Sequence, residues 1–327
     1  MPAIGPPTRT ASWTEYWAAG ALHSCPGSFR HNYDGDIAAF WSGCFDALPD
    51  GFRMVDLCTG NGAIPQLLSE HPAFRERAGT VQAFDLVDVH PQWRDALEPN
   101  ARDRIRFIGG VDAARLPCAD ASVDLVSSQF GIEYIGGDAF AEVARALCRG
   151  GRLAAVLHHP EGLPVRIARE ECAHHAWLRT EDWAAAVAAM VAPMAQSASE
   201  EGRTALRSDV SAQHAKQRYD ALLGALRARA SISKHPDLLH EAWQQSASVF
   251  ATARAHGGAA AHAAWHATLA RMHNAELRQQ ELAACAVESS QLEAWAAQLG
   301  DRAPEIGTVH FVEGSIAGWR MSARRAG

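Results

Sequence analysis

Apolar residues recur along this chain with two different periods, and the change between them divides it. From Arg53 to His159 short apolar runs of strand length alternate with stretches in which apolar residues return every three or four positions. The runs lie at residues 52–56, 80–85, 105–109, 120–126 and 152–158. The helical stretch before the last, residues 138–148, stops at Gly150-Gly151. Strands alternating with helices predict a parallel sheet with crossover helices. From about Val165 to Leu299 only the helical period persists, Ala-rich and periodic in Leu, Trp and Met, with breaks expected near Pro193, Pro236 and Gly257-Gly258. Residues 308–312 and 318–324 read as a closing hairpin. Upstream, residues 1–10 read as disordered. Residues 12–20 form a short helix with Trp13, Tyr16 and Trp17 on one side, and a loop follows from Leu22 to Gly35. A second helix covers residues 36–48, with Ile37, Phe40, Trp41, Cys44 and Phe45 as its apolar stripe and Asp34 as N-cap. The chain therefore divides into an N-terminal helical cap (1–50), an α/β core (51–164 with 300–327) and a helical insertion (165–299).

The chemistry concentrates where the first strand ends. Phe52-Arg53-Met54-Val55-Asp56-Leu57-Cys58-Thr59-Gly60-Asn61-Gly62-Ala63-Ile64 places an acid, two glycines and a helix start in succession. Glycine there permits φ > 0 and close approach of backbone amides to a ligand. A dinucleotide fingerprint needs a third glycine where Pro65 stands, and a phosphate loop needs a lysine that does not follow Gly62. Asp85 closes the second strand one helix later. A carboxylate there can accept two hydrogen bonds from a ribose diol, each worth about 1.5–3 kcal/mol. That points to an adenosine ligand without naming it.

The loop from Asp56 to Gly62 resembles motif I of class I S-adenosylmethionine-dependent methyltransferases, D-x-G-x-G-x-G, with Cys58 in place of the first glycine. The run Gly110-Val111-Asp112-Ala113-Ala114-Arg115-Leu116-Pro117, continued by Asp120 to Val126, resembles the G-D-A-x-x-L-P-F-x-D-x-S-F-D-x-V pattern of small-molecule methyltransferases related to the quinone C-methylating enzymes. The ending Gly318-Trp319 to Ala323-Arg324 is similar to theirs. The resemblance covers roughly residues 50–160 and returns near the C-terminus. It implies a Rossmann-like α/β fold, a seven-stranded sheet that is mostly parallel with a C-terminal antiparallel hairpin. It implies S-adenosylmethionine as cofactor and S-adenosylhomocysteine as product. In that family Asp56, Cys58, Gly60, Asn61 and Gly62 form the cofactor loop, and Asp85 and Leu86 lie at the ribose. Asp112 holds the adenine amino group, Ala113 adds a backbone contact, and Asp124 is structural. Gln129 and Phe130 are expected to flank the adenosyl or methionyl part.

Composition removes other classes. The 327 residues carry a formal charge of −7 with no lysine- or arginine-rich block, which argues against a nucleic-acid partner. No apolar run approaches the ~20 residues that span a bilayer. The first residues lack the regions of a signal peptide. Seven cysteines without CxxC spacing suit reduced thiols and a cytoplasmic setting. His262 and His266 share a helical face with His273 two turns on, but no acid or cysteine pair completes a set, so no metal is expected.

The acceptor side is less legible. Strand five ends at His158-His159-Pro160, and Glu133 and Tyr134 follow strand four. Strand side chains alternate, so one histidine of the pair is expected to face the cleft as general base. Tyr33, in the polar stretch Arg30-His31-Asn32-Tyr33, is a second candidate, placed near the sulfonium. The Asn/Asp-Pro-Pro-Tyr/Phe motif that holds a planar amide or base NH2 is absent after strand four. These features point to a small-molecule acceptor, with oxygen slightly favoured over nitrogen, carbon or sulfur. The alternative is a non-catalytic methyltransferase-like binding or assembly protein. A lid, a substrate-pocket wall or a homodimer interface are the roles open to the insertion.

Overall fold

The computed structural model describes residues 6–25 and 30–327, with side chains from Arg9 onward. Strands β1 (Phe52–Leu57), β2 (Gly79–Phe84), β3 (Ile105–Ile108), β4 (Val123–Gln129), β5 (Leu147–Leu157), β6 (Glu305–His310) and β7 (Ile316–Arg324) form one sheet in the order β3-β2-β1-β4-β5-β7-β6. The first five pair in parallel, and β7 runs antiparallel to both β5 and β6. Strand order reverses between β1 and β4, the switch point outside which such sheets bind ligands.

Both faces of the sheet are covered, which explains why β1 shows no polar alternation. Met54, Val81, Ile105, Leu125 and Ala154 pack on one face with Trp41, Phe45, Leu68 and Phe74. Val55, Phe84, Val126, Leu153 and Ala155 pack on the other with Phe140, Val143, Leu292 and Ala296. The last two lie on the helix Ser289–Gln298, whose Trp295 stacks on Phe140 at 4.3 Å. This helix falls inside the stretch read from sequence as insertion, yet its apolar side completes the α/β core. Accordingly, the chain up to Arg166 and Glu281–Gly327 make one compact unit, and Ile167–Gln280 makes the other.

The first helix spans Pro6–Ala18 and so begins inside the stretch expected to be disordered; residues 1–5 of that stretch lie outside the described residues. Proline suits a first helical turn, because the N–H it lacks has no partner there. The second helix, Gly35–Asp46, has Asp34 at its N-cap position, but the Asp34 side chain makes no capping hydrogen bond.

The second unit has its own centre, built from Trp183, Met190, Tyr219, Leu239, Phe250 and Trp265. Tyr219 shares a hydrogen bond with Ser246 at 2.8 Å, and Trp265 donates to the Ala184 carbonyl at 3.1 Å. Breaks near Pro236 and Gly257 fall as expected. Pro193 lies within the helix Trp183–Gln196, and the break follows it within one turn. There it removes one N–H and the helix runs on to its terminus. No helix among the described residues is long and apolar enough to cross a membrane.

Candidate active site

A cleft of about 590 Å³ opens at the carboxyl ends of β1, β2 and β4. Asp85 lies on its floor. The carboxylate accepts the Gly60 N–H at 2.8 Å on Oδ2 and the Val87 N–H at 3.0 Å on Oδ1. Each oxygen keeps a second lone pair for a ligand hydroxyl. Burial raises the Asp85 carboxyl above the ordinary carboxylate range, and the hydrogen bonds from the Val87, Gly60 and Leu86 backbone oppose that. Leu86, Val111, Asp112, Ala113 and Ala114 continue the wall. Asp112 Oδ1 accepts the Ala114 N–H at 2.9 Å, which fixes the carboxylate at the rim.

The glycines of the loop serve packing as much as ligand approach. Gly60 has φ +51°, and a Cβ there would lie 2.6 Å from the Trp17 ring. Gly62 has φ +77°, and a Cβ there would lie 2.4 Å from Phe107 and 3.0 Å from Trp93. Asn61, expected at the cofactor, turns instead to the N-terminal segment. Its Nδ2 donates to the Trp17 carbonyl at 2.9 Å and the Ala21 carbonyl at 2.7 Å. It ties the loop to the residues above it.

Asp56 is also a strut. It is 1% exposed and accepts the Ser127 hydroxyl at 2.5 Å, across the β1–β4 register pair. Burial raises its carboxyl to about 7, against hydrogen bonds from Ser127 and Thr59 and with a smaller upward push from Asp85. Between its unfolded value of 3.8 and about 7 the folded chain binds the extra proton, so this group's contribution lowers stability as pH rises through that window. Melting temperatures from pH 4 to 8 are expected to separate the native chain from Asp56→Asn, the difference growing with pH as the native chain loses stability. A pH-independent difference would show that Asp56 is not the group responsible.

Residues 55–155 match a family model described as "Methyltransferase domain". Together with the strand order and the acid at the end of β2, that match decides the class. Residues 55–155 are a class I methyltransferase domain. No curated protein matches the chain. Similar solved structures include YcgJ from Bacillus subtilis, at 21% identity over 37% of this chain and 51% of that one, with TM-score 0.31. Geranyl diphosphate methyltransferase in complex with GPP and sinefungin is 23% identical over 37% of this chain and 44% of that one, with TM-score 0.31. Geranyl diphosphate C-methyltransferase from Streptomyces coelicolor A3(2), in complex with Mg2+, geranyl diphosphate and S-adenosyl-L-homocysteine, is 18% identical over 48% and 66%, with TM-score 0.34. The chain spans about half the length of the first of these.

The methyltransferase class uses S-adenosylmethionine, and the cleft's donor set suits it. Asp85 offers acceptors for a diol, Asp112 an acceptor for an amino group, and Leu57, Phe84 and Phe130 supply apolar wall. Beyond Cys58 and Phe130, which line both spaces, lies a second pocket of about 30 Å³ walled by Trp17, Asp56, Thr59 and Gln129. Cys58 itself has φ +55° in the place of the motif's first glycine, and Phe130 has φ +53°. Left-handed backbone at non-glycine residues costs about 1–3 kcal/mol each and clusters at functional sites. Gln129 accepts the Trp41 Nε1–H at 2.7 Å on Oε1.

The strand-end histidines do not stand where a cleft base would. His158 is 1% exposed and lines neither space. Its Nδ1 meets Glu133 Oε1 at 2.6 Å, and its backbone N–H donates to the same oxygen at 3.0 Å. Its ring lies 4.6 Å from Phe130 and 5.7 Å from Tyr134, both of which line the cleft. His159 points the other way. Its Nδ1 accepts the Glu161 N–H, and its ring lies 4.2 Å from Trp319. Tyr33 is buried, 4.2 Å from the His23 ring, in the wall of the second pocket. The sequence placed Ser127 at the end of strand four without its partner Asp56, and it missed Trp93 and Arg9, a cleft residue ion-paired with Glu281. The Asp56–Ser127 pairing depends on strand register. Nothing local signals the other two.

Proposed function

We propose that this chain transfers the methyl group of S-adenosylmethionine to a small-molecule acceptor. The observation that carries the proposal is the Asp85 carboxylate, held by two backbone amides at the floor of an apolar cleft large enough for an adenosyl group. The bound cofactor supplies a methyl carbon on a sulfonium, open to in-line displacement. Alignment then contributes most of the rate. Asp85 orients the ribose, Asp112 the adenine edge, and Phe130, Gly131 and Tyr134 keep water from the donor. Glu133 and His158 are positioning residues in this reading, because their pair backs Phe130 and Tyr134 rather than touching a cavity. Oxygen is the favoured acceptor atom, and proton removal falls to the acceptor's own acidity or to a carboxylate.

Calorimetry with S-adenosylmethionine and S-adenosylhomocysteine is expected to show binding of both. No heat at millimolar ligand would remove the enzymatic reading. His158→Ala is expected to lower kcat about tenfold or more while S-adenosylhomocysteine affinity changes little, since misalignment acts on turnover before it acts on binding. His158→Gln should recover part of the loss if the role is positional. Equal kcat in the native and alanine proteins would take the pair out of the mechanism.

A further inference from the structure

Three spaces follow one another at the carboxyl end of the sheet. The adenosine-sized cleft and the 30 Å³ pocket share Cys58, Trp17 and Phe130 as common wall. That pocket in turn shares Tyr33 and the His23 ring with a third cavity of about 200 Å³. The third cavity is closed by the loop ahead of the helix Gly35–Asp46 and by the turn between β6 and β7, in which Phe311 and Ser315 pair through their backbones.

Its lining holds more acid than base. Asp34 and Glu313 contribute two carboxylates, and among the described residues no lysine or arginine lines it. Asp34 stands at a helix N-cap position without spending its side chain on the cap. Glu313 accepts the Ser315 hydroxyl at 2.6 Å through Oε1. His23 adds no compensating charge. Burial lowers its pKa to about 4, and its two ring nitrogens meet the Cys25 N–H and the His31 carbonyl. His31 and Asn32 add polar groups to the wall, and Ile37, Leu163, Phe311 and Val312 supply its aliphatic and aromatic area. Val312 is 77% exposed, a large aliphatic side chain left at the rim of a cavity.

We infer that this third cavity is the acceptor site and that it takes an acceptor carrying a protonated amine on an apolar body. The inference rests on the methyl-transfer reading for its link to a donor. A cationic amine is matched by Asp34 and Glu313, and a carboxylate or phosphate in the same place would meet two like charges, with no lysine or arginine among the described lining residues to offset them. The apolar wall supplies area for the remainder of the molecule.

The test uses the full-length chain saturated with S-adenosylhomocysteine and titrated with 2-phenylethylamine, its neutral isostere 2-phenylethanol and the anion 3-phenylpropionate. The amine is expected to bind about tenfold tighter than the alcohol, with the anion weakest, as two exposed carboxylates acting together allow. Asp34→Asn and Glu313→Gln should each weaken the amine roughly fivefold and leave the alcohol and S-adenosylhomocysteine within about twofold. If S-adenosylhomocysteine binds but amine and alcohol are indistinguishable, or neither binds, the amine assignment is wrong and the methyl-transfer reading stands. The same holds if the variants leave the amine unchanged. If S-adenosylhomocysteine itself fails to bind, the donor reading falls and the acceptor assignment with it.

Discussion

Replacing Asp85 with alanine is expected to weaken S-adenosylmethionine and S-adenosylhomocysteine together, by roughly 10²–10⁴-fold. Two hydrogen bonds from a ribose diol to a buried carboxylate are worth about 3–6 kcal/mol in sum, and every 1.4 kcal/mol is about a factor of ten. The ligands share the ribose and differ at the sulfur, so the two losses should agree. The variant also strands the Gly60 and Val87 N–H groups that the carboxylate accepts at 2.8 and 3.0 Å. Each orphaned buried donor costs about 1–3 kcal/mol of stability. Calorimetry beside a thermal melt separates the effects: Asp85→Asn keeps one carbonyl acceptor and should fall between native and alanine in both. Unchanged affinity in a folded Asp85→Ala protein would make the residue a loop clip and no more.

A second large effect is expected where β4 leaves the sheet. A Cβ at Gly131 would lie 2.3 Å from the Cys58 Cβ and 3.2 Å from the Ser128 hydroxyl oxygen. The Cys58 Cβ is fixed to backbone and cannot swing aside, so Gly131→Ala should cost about 3 kcal/mol, at the upper end of overpacking penalties. Cys58→Gly removes the opposing atom. It also frees a residue held at φ +55°, a gain offset by the entropy that glycine loses on folding. Cys58→Gly alone should therefore be near neutral, and in combination it should restore most of the stability lost at Gly131. Denaturant titration of the four proteins reads the coupling, expected at about 1–3 kcal/mol. Additive losses would mean that the strand end relaxes elsewhere.

Much of the architecture is legible in the chain because strands and helices announce themselves locally. Met54 and Val55 are both apolar because they face opposite, covered sides of the sheet. The helix Ser289–Gln298 is equally regular in sequence, yet its place beside Phe140 depends on a partner far along the chain, and the periodicity of a helix carries no address. The break expected near Pro193 comes three residues later, at the end of the helix Trp183–Gln196, because the proline removes one N–H bond to the carbonyl four residues back and the helix ends within a turn.

The site divides along the same line. Sequence alone determined that acids and glycines would stand at the carboxyl ends of parallel strands, since chain direction and the strand–turn–helix pattern place Asp85, Gly60, Gly62 and Asp112 there without reference to anything distant. Only the tertiary structure decided which of those groups face the cleft. Asp56 turns to Ser127, Asn61 to the carbonyls of Trp17 and Ala21, and His158 to Glu133. It also brought Asp34 and Glu313 to one cavity from opposite ends of the chain. The physical reason is that backbone conformation is set by near neighbours, whereas the partner of a buried polar side chain is chosen by whichever remote segment packs against it.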